Sequence, residues 1–148
     1  METERFFEIR PIMEKAFKDG NIKLAKELAI EYLEIAEMKK DNWNYGNAIH
    51  NSNLILGRIA LNDKDILNAK KYLIKAGNTS GSPQLNSFGP NMMLAKELLE
   101  SGAKETVIEY INLTKVFWKW YFSWNKTRKW KKQIRNGMIP DFGANLIY

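Results

Sequence analysis

The residues able to do chemistry are few. The 148-residue chain holds one histidine, His50, and no cysteine, which excludes a thiolate nucleophile, a disulfide framework and a thiolate metal site. His50 stands in Trp43-Asn44-Tyr45-Gly46-Asn47-Ala48-Ile49-His50-Asn51-Ser52-Asn53, and helical spacing puts Asn47, His50, Asn51 and Leu54 on one face. No second histidine and no carboxylate stand near it at metal-ligand spacing, so a zinc or facial-triad site has no support. Such a histidine reads in two ways: a buried ring hydrogen-bonded to an asparagine, or a ligand contact. A Gly-rich phosphate loop, HExxH, GxSxG and a calcium-loop pattern are all missing. The expectation is therefore a protein without catalytic machinery, cofactor or metal.

Two further segments carry candidate chemistry. The stretch from Gly77 to Pro90 is polar and punctuated by glycine, longer than a turn between packed helices requires. Its Ser82, Gln84 and Asn86, with Thr79, Ser80 and backbone amides, either surround a ligand or only prepare the next helix, with Ser87 or Gly89 as cap and Pro90 in the first turn. Val116 to Lys132 gathers four of the five tryptophans and most of the excess charge. Phe117, Trp120, Tyr121 and Trp124 form one stripe suited to burial, whereas Lys126, Arg128, Lys129, Lys131 and Lys132 are expected in solvent. Three readings compete for this segment. It is a terminal helix covered by the apolar tail Met138 to Tyr148, a dimer or protein-partner surface, or a surface for nucleic acid or an anionic membrane, with Trp120, Trp124 and Trp130 beside the cations.

The elements that must position these residues follow from periodicity and breakers. Hydrophobic residues make up 45% of the chain and aromatics 12%, enough for a core in a single domain. Leu24, Ala25, Leu28, Ala29, Tyr32, Leu33 and Ala36 recur at helical spacing, and no segment alternates as a strand does. Breakers at Gly20-Asn21, Lys40-Asp41, Asn62-Asp63, Gly77 to Pro90, Ser101-Gly102 and Gly137 to Pro140 predict helices over about 3–18, 22–39, 43–61, 65–76, 91–101 and 104–135. No apolar run approaches the roughly 20 residues of a membrane span. Met1 to Arg10 does not look like a secretory signal, so the expected location is the cytoplasm. The net charge of +6 is uneven: residues 1–109 carry 15 basic and 16 acidic side chains, residues 110–148 carry 8 basic and only Asp141 acidic.

Overlaying the hairpins yields a repeat. Leu56-Gly57, Ala60, Ala69, Leu73 and Ala76 stand as small and large positions of a helix-turn-helix unit, echoed by Leu94-Ala95, Leu98, Gly102, Val107 and Ile111 and more loosely by Ile12-Met13, Gly20, Ala25 and Ala29. On these positions the chain resembles tetratricopeptide-repeat proteins over about residues 5–115. The block Gly81-Ser82-Pro83-Gln84-Leu85-Asn86-Ser87-Phe88-Gly89-Pro90-Asn91-Met92, followed by Leu94 to Leu98, is similar to one in small uncharacterised bacterial helical proteins. The resemblance implies an all-α fold of three stacked antiparallel hairpins, about 3–39, 43–76 and 91–135, forming a tetratricopeptide-like superhelix with a long C-terminal helix and a packed tail over 137–148. It further implies a concave groove in which Asn51, Arg58 and Lys96 hold an anionic or peptide ligand, with His50, Ser82, Gln84 and Asn86 beside them. The expected function is a non-catalytic module that binds a protein or peptide. The alternatives are a nucleic-acid-binding protein using the basic aromatic C-terminal helix and a homodimer formed through the same helix.

Overall fold

The computed structural model describes residues 2–148, and among them it is all-helical, with no strand. The helices are α1 (Glu2–Lys18), α2 (Ile22–Glu37), α3 (Tyr45–Asn62), α4 (Ile66–Gly77), α5 (Pro83–Phe88), α6 (Met93–Glu100), α7 (Lys104–Thr114) and α8 (Tyr121–Arg135), followed by a 3-10 turn over Gly143–Leu146. Local chemistry sets their starts. The Asn21 side chain accepts from the Leu24 N–H and that of Asp65 from the Asn68 N–H, each satisfying one amide donor that a helix leaves unpaired at its start.

Packing runs along the chain, α1 on α2, α2 on α3, α3 on α4, and then α4 on α7, α7 on α6 and α7 on α8. The α2 stripe Ala25, Leu28, Ala29, Tyr32, Ile35 and Ala36 is buried. It closes a first core with Phe6, Ile9 and Met13 of α1 and Ile55, Leu56 and Ile59 of α3. A second core joins Leu54, Leu73, Leu94, Leu98, Val107, Tyr110 and Ile111 to Phe117, Trp118, Trp130, Ile134 and Phe142. Helix α3 therefore faces both cores. Its Gly57 permits a close approach to α4 and α6, since a Cβ there would stand 2.4 Å from the Leu94 Cδ2 and 3.1 Å from the Tyr72 Cβ.

Two expectations about elements are corrected. The helix expected over 104–135 is broken between Thr114 and Tyr121, because the rings of Val116 to Trp124 point all round a straight helix and one core cannot cover them all. The Thr114 carbonyl accepts from the Phe117 and Trp118 amides at 3.2 and 2.9 Å. This turn drives Phe117 and Trp118 into the core, 2% and 6% exposed. Ser123 then ends the break by donating its hydroxyl to the Trp118 and Trp120 carbonyls. The second correction concerns the long connection, which contains a helix of its own. Ser82 caps this helix, accepting from the Leu85 N–H at 3.0 Å, with Pro83 at its start, whereas α6 begins after Met92 and takes no cap from Ser87 or Gly89.

The tail packs, though not where the sequence placed it. Phe142 meets Trp130 edge to face at 5.1 Å between centroids, and Trp130 lies 5.9 Å from Trp118. Asn145 is buried and gives its Nδ2 to the Phe88 and Pro90 carbonyls, while its own carbonyl accepts from the Met92 N–H at 2.7 Å. The tail thus covers Trp118 and Trp130. The stripe expected to be buried is exposed except for Phe117: Trp120 59%, Tyr121 81% and Trp124 63%, with Phe122 at 70%.

Candidate functional site

The inner side of α3 is a run of amides. Asn44, Asn47, His50, Asn51, Ser52 and Asn53 are all buried, and all but Ser52, whose hydroxyl has no partner among the described residues, are held by directional bonds. Asn44 gives its Nδ2 to the Phe6 carbonyl and to the Tyr32 hydroxyl at 3.0 and 3.1 Å. Asn47 donates to the Asn44 Oδ1 and the Gln84 Oε1, and its own Oδ1 accepts from the Ser82 hydroxyl at 2.6 Å. Ser82 and Gln84, read from the sequence as candidate ligand contacts, therefore fasten the loop to α3. Asn86 stands apart, exposed beside Phe117, Lys119, Trp120 and Tyr121.

His50 continues this chain of bonds toward α6. Its Nδ1 lies 2.9 Å from the Ala76 carbonyl, and its Nε2 accepts from the Asn91 N–H at 3.1 Å. The second bond requires an unprotonated Nε2, so the ring is the neutral Nδ1–H tautomer. Burial holds the imidazole well below its ordinary range, at about 4. Both ring nitrogens are used, which leaves neither for a metal or a substrate proton. The reading of His50 as a buried ring bonded to an asparagine fits, with the asparagine contributing its backbone. Asn91 is the junction: its carbonyl accepts from the Tyr110 hydroxyl at 2.7 Å and its Oδ1 from the Met93 N–H. Its Nδ2 donates to the backbone carbonyl of Tyr148.

Across these amides runs a groove of about 300 Å³, walled by Glu14, Phe17 and Lys18 of α1, by Asn51, Leu54, Ile55 and Arg58 of α3, by Met93 of α6, and by Leu146 to Tyr148 of the tail. Asn51 gives its Nδ2 to the Asn47 carbonyl at 2.8 Å. Its carboxamide oxygen makes no hydrogen bond among the described residues, leaving it free to accept one from a ligand. Arg58 is positioned differently from its expected role. Its Nε bonds the Glu97 Oε1 at 2.5 Å and its guanidinium lies 4.8 Å from the Phe17 ring centroid, so much of its charge is answered within the chain. Lys96 is half-buried on α6 and does not line the groove with Arg58. The two cations do not converge on one anion.

Of the groove, the sequence reading found Asn51 and Arg58 and missed Phe17, Asn91, Met93 and the tail, together with Glu97, which pairs with Arg58. Glu97, one residue after Lys96, was the available signal, because a carboxylate on α6 opposite Arg58 on α3 answers it at once.

The second candidate surface is also in view. Lys126, Arg128, Lys129 and Lys132 are exposed on α8, whereas Trp130 is buried. Lys131 is half-buried and donates to the Asn112 Oδ1 at 2.9 Å. Burial, with Lys115, Arg135 and Arg128 beside it, pulls its ammonium down to about 8. Among the described residues, none of the eight cations from Lys115 to Arg135 forms an ion pair; the salt bridges lie elsewhere, from Arg5–Glu31 to Arg58–Glu97. No group of three or more potential metal-ligating side chains converges among the described residues. Searches against protein-family models, curated proteins and solved structures returned no match to the chain.

Proposed function

We propose that the protein is a non-catalytic, tetratricopeptide-like binding module that holds an extended segment of a protein partner in the groove between α1, α3, α6 and the tail. The carrying observation is that this groove already receives main chain: the Asn91 carboxamide donates to the main-chain oxygen of Tyr148 at its edge, just past the 3-10 turn of the tail. Asn51 offers a second amide nearby, with an acceptor to spare. Side-chain amides that bond a peptide backbone give affinity without reading sequence, and apolar walls then select side chains. Phe17, Leu54, Ile55 and Met93 supply such walls. With Arg58 answered by Glu97, the groove favours an apolar segment over a terminal carboxylate. The three helix pairs α1/α2, α3/α4 and α6/α7 are the units that the tetratricopeptide reading stacks, and their first helices are the ones that meet the groove.

The test is selection from a random peptide library followed by titration against single variants. Selected peptides should be rich in apolar residues and should bind Asn51→Ala and Met93→Glu at least about tenfold more weakly than wild type. Met93 opens α6, where an acidic residue is tolerated, so loss of binding there is not loss of fold. Peptides that bind Met93→Glu and Asn51→Ala as tightly as wild type would remove the groove reading.

A further inference from the structure

We propose that the aromatic, cationic surface formed by the break before α8 and the outward side of α8 docks the protein onto an anionic lipid membrane. Trp120, Tyr121, Phe122 and Trp124 are each more than half exposed and follow one another within five residues. A contiguous apolar patch of this kind is seldom left to water. The tail packs on Trp118 and Trp130 and leaves these four rings exposed. Phe117 and Trp118 anchor the same turn in the core, so the exposed rings stand on a fixed base.

The charge around these rings has one sign. Lys119 and Lys126 flank them, and Arg128, Lys132 and Arg135 continue down the outward side of α8 at helical spacing from Tyr121 and Trp124. No acidic residue occurs between Lys115 and Arg135. Lys131 has Lys115, Arg128 and Arg135 beside it, and among the described residues none of these cations meets a carboxylate. Trp and Tyr rings settle at the headgroup level of a bilayer, and lysines and arginines beside them are drawn to anionic lipids. A single nucleic-acid strand asks for a channel that tracks its backbone. Here four exposed rings gather at one end of a cationic stripe, an arrangement that suits a headgroup surface which rings enter and on which cations rest.

The experiment is co-sedimentation of the full chain with vesicles of phosphatidylcholine alone and with vesicles containing about 30% phosphatidylserine. The protein should bind the anionic vesicles and not the neutral ones. Trp120→Ser with Trp124→Ser, and separately Arg128→Glu with Lys132→Glu, should each weaken binding about tenfold or more. These side chains are exposed, so unchanged far-ultraviolet circular dichroism is expected for both double variants. Met93→Glu should leave vesicle binding intact, which separates this surface from the groove. Three results would overturn the proposal: no sedimentation with anionic vesicles, tighter binding of a fluorescent single-stranded oligonucleotide that displaces the vesicles, or a dimer in analytical ultracentrifugation abolished by Trp120→Ser.

Discussion

His50 is the side chain whose state ties chemistry to stability. Folded, it takes a proton only near pH 4, whereas the unfolded chain does so near 6.5. Between those values the unfolded state holds more protons, so stability rises with pH and is fully present above about 6.5. Urea denaturation should therefore lose up to about 1.4 kcal/mol per pH unit from pH 6.5 toward 5, before carboxylates complicate the profile. His50→Gln should flatten that dependence while lowering stability at pH 7; an unchanged slope would mean that the ring is not the titrating group. Asn91 is the second residue of consequence. It receives α3 through His50, α7 through Tyr110 and the tail through Tyr148, so Asn91→Ala should loosen the tail with a cost of about 1–3 kcal/mol, read as faster amide exchange over residues 142–148.

At the scale of elements, what the sequence disclosed and what it hid have different physical causes. The helices from α1 to α4 were legible because stripes such as Ala25 to Ala36 and breakers such as Gly20-Asn21 act locally. Helix α5 was hidden inside a glycine- and serine-rich stretch, since its short length depends on Asn47 and Gln84 holding the loop to α3. The break before α8 was equally illegible: no glycine or proline marks it between Thr114 and Tyr121, and only competition for core space decides which rings turn inward. The groove was half legible, because Asn51 and Arg58 follow from helix register while the tail and Glu97 arrive from distant chain. Close approach offers a test at this scale. A Cβ on Gly46 would stand 2.0 Å from the Gly81 carbonyl oxygen, a backbone atom, whereas one on Gly57 meets the movable Leu94 methyl. Gly46→Ala should cost more than about 2 kcal/mol and displace the loop, and Gly57→Ala about 1–2 kcal/mol. Thermal melts of the two variants check the order.

For the whole molecule, α3 is the shared wall of two cores, and Arg58–Glu97 ties it to α6 on the groove side. Neither core is complete without α3, so unfolding should be one event. Far-ultraviolet dichroism and tryptophan fluorescence should melt together, although Trp118 and Trp130 report on only one core; separated transitions would divide the chain into two units. A double-mutant cycle on Arg58 and Glu97 should return a coupling of about 1 kcal/mol. The uneven charge has a different kind of consequence. With 15 basic and 16 acidic side chains over residues 1–109 and 8 basic against one acidic over the remainder, the molecule is an electric dipole with one nearly neutral pole and one strongly positive pole. It meets any negatively charged plane with the positive pole leading, so its elution from a cation-exchange resin tracks that local density of charge rather than the net +6 of the chain.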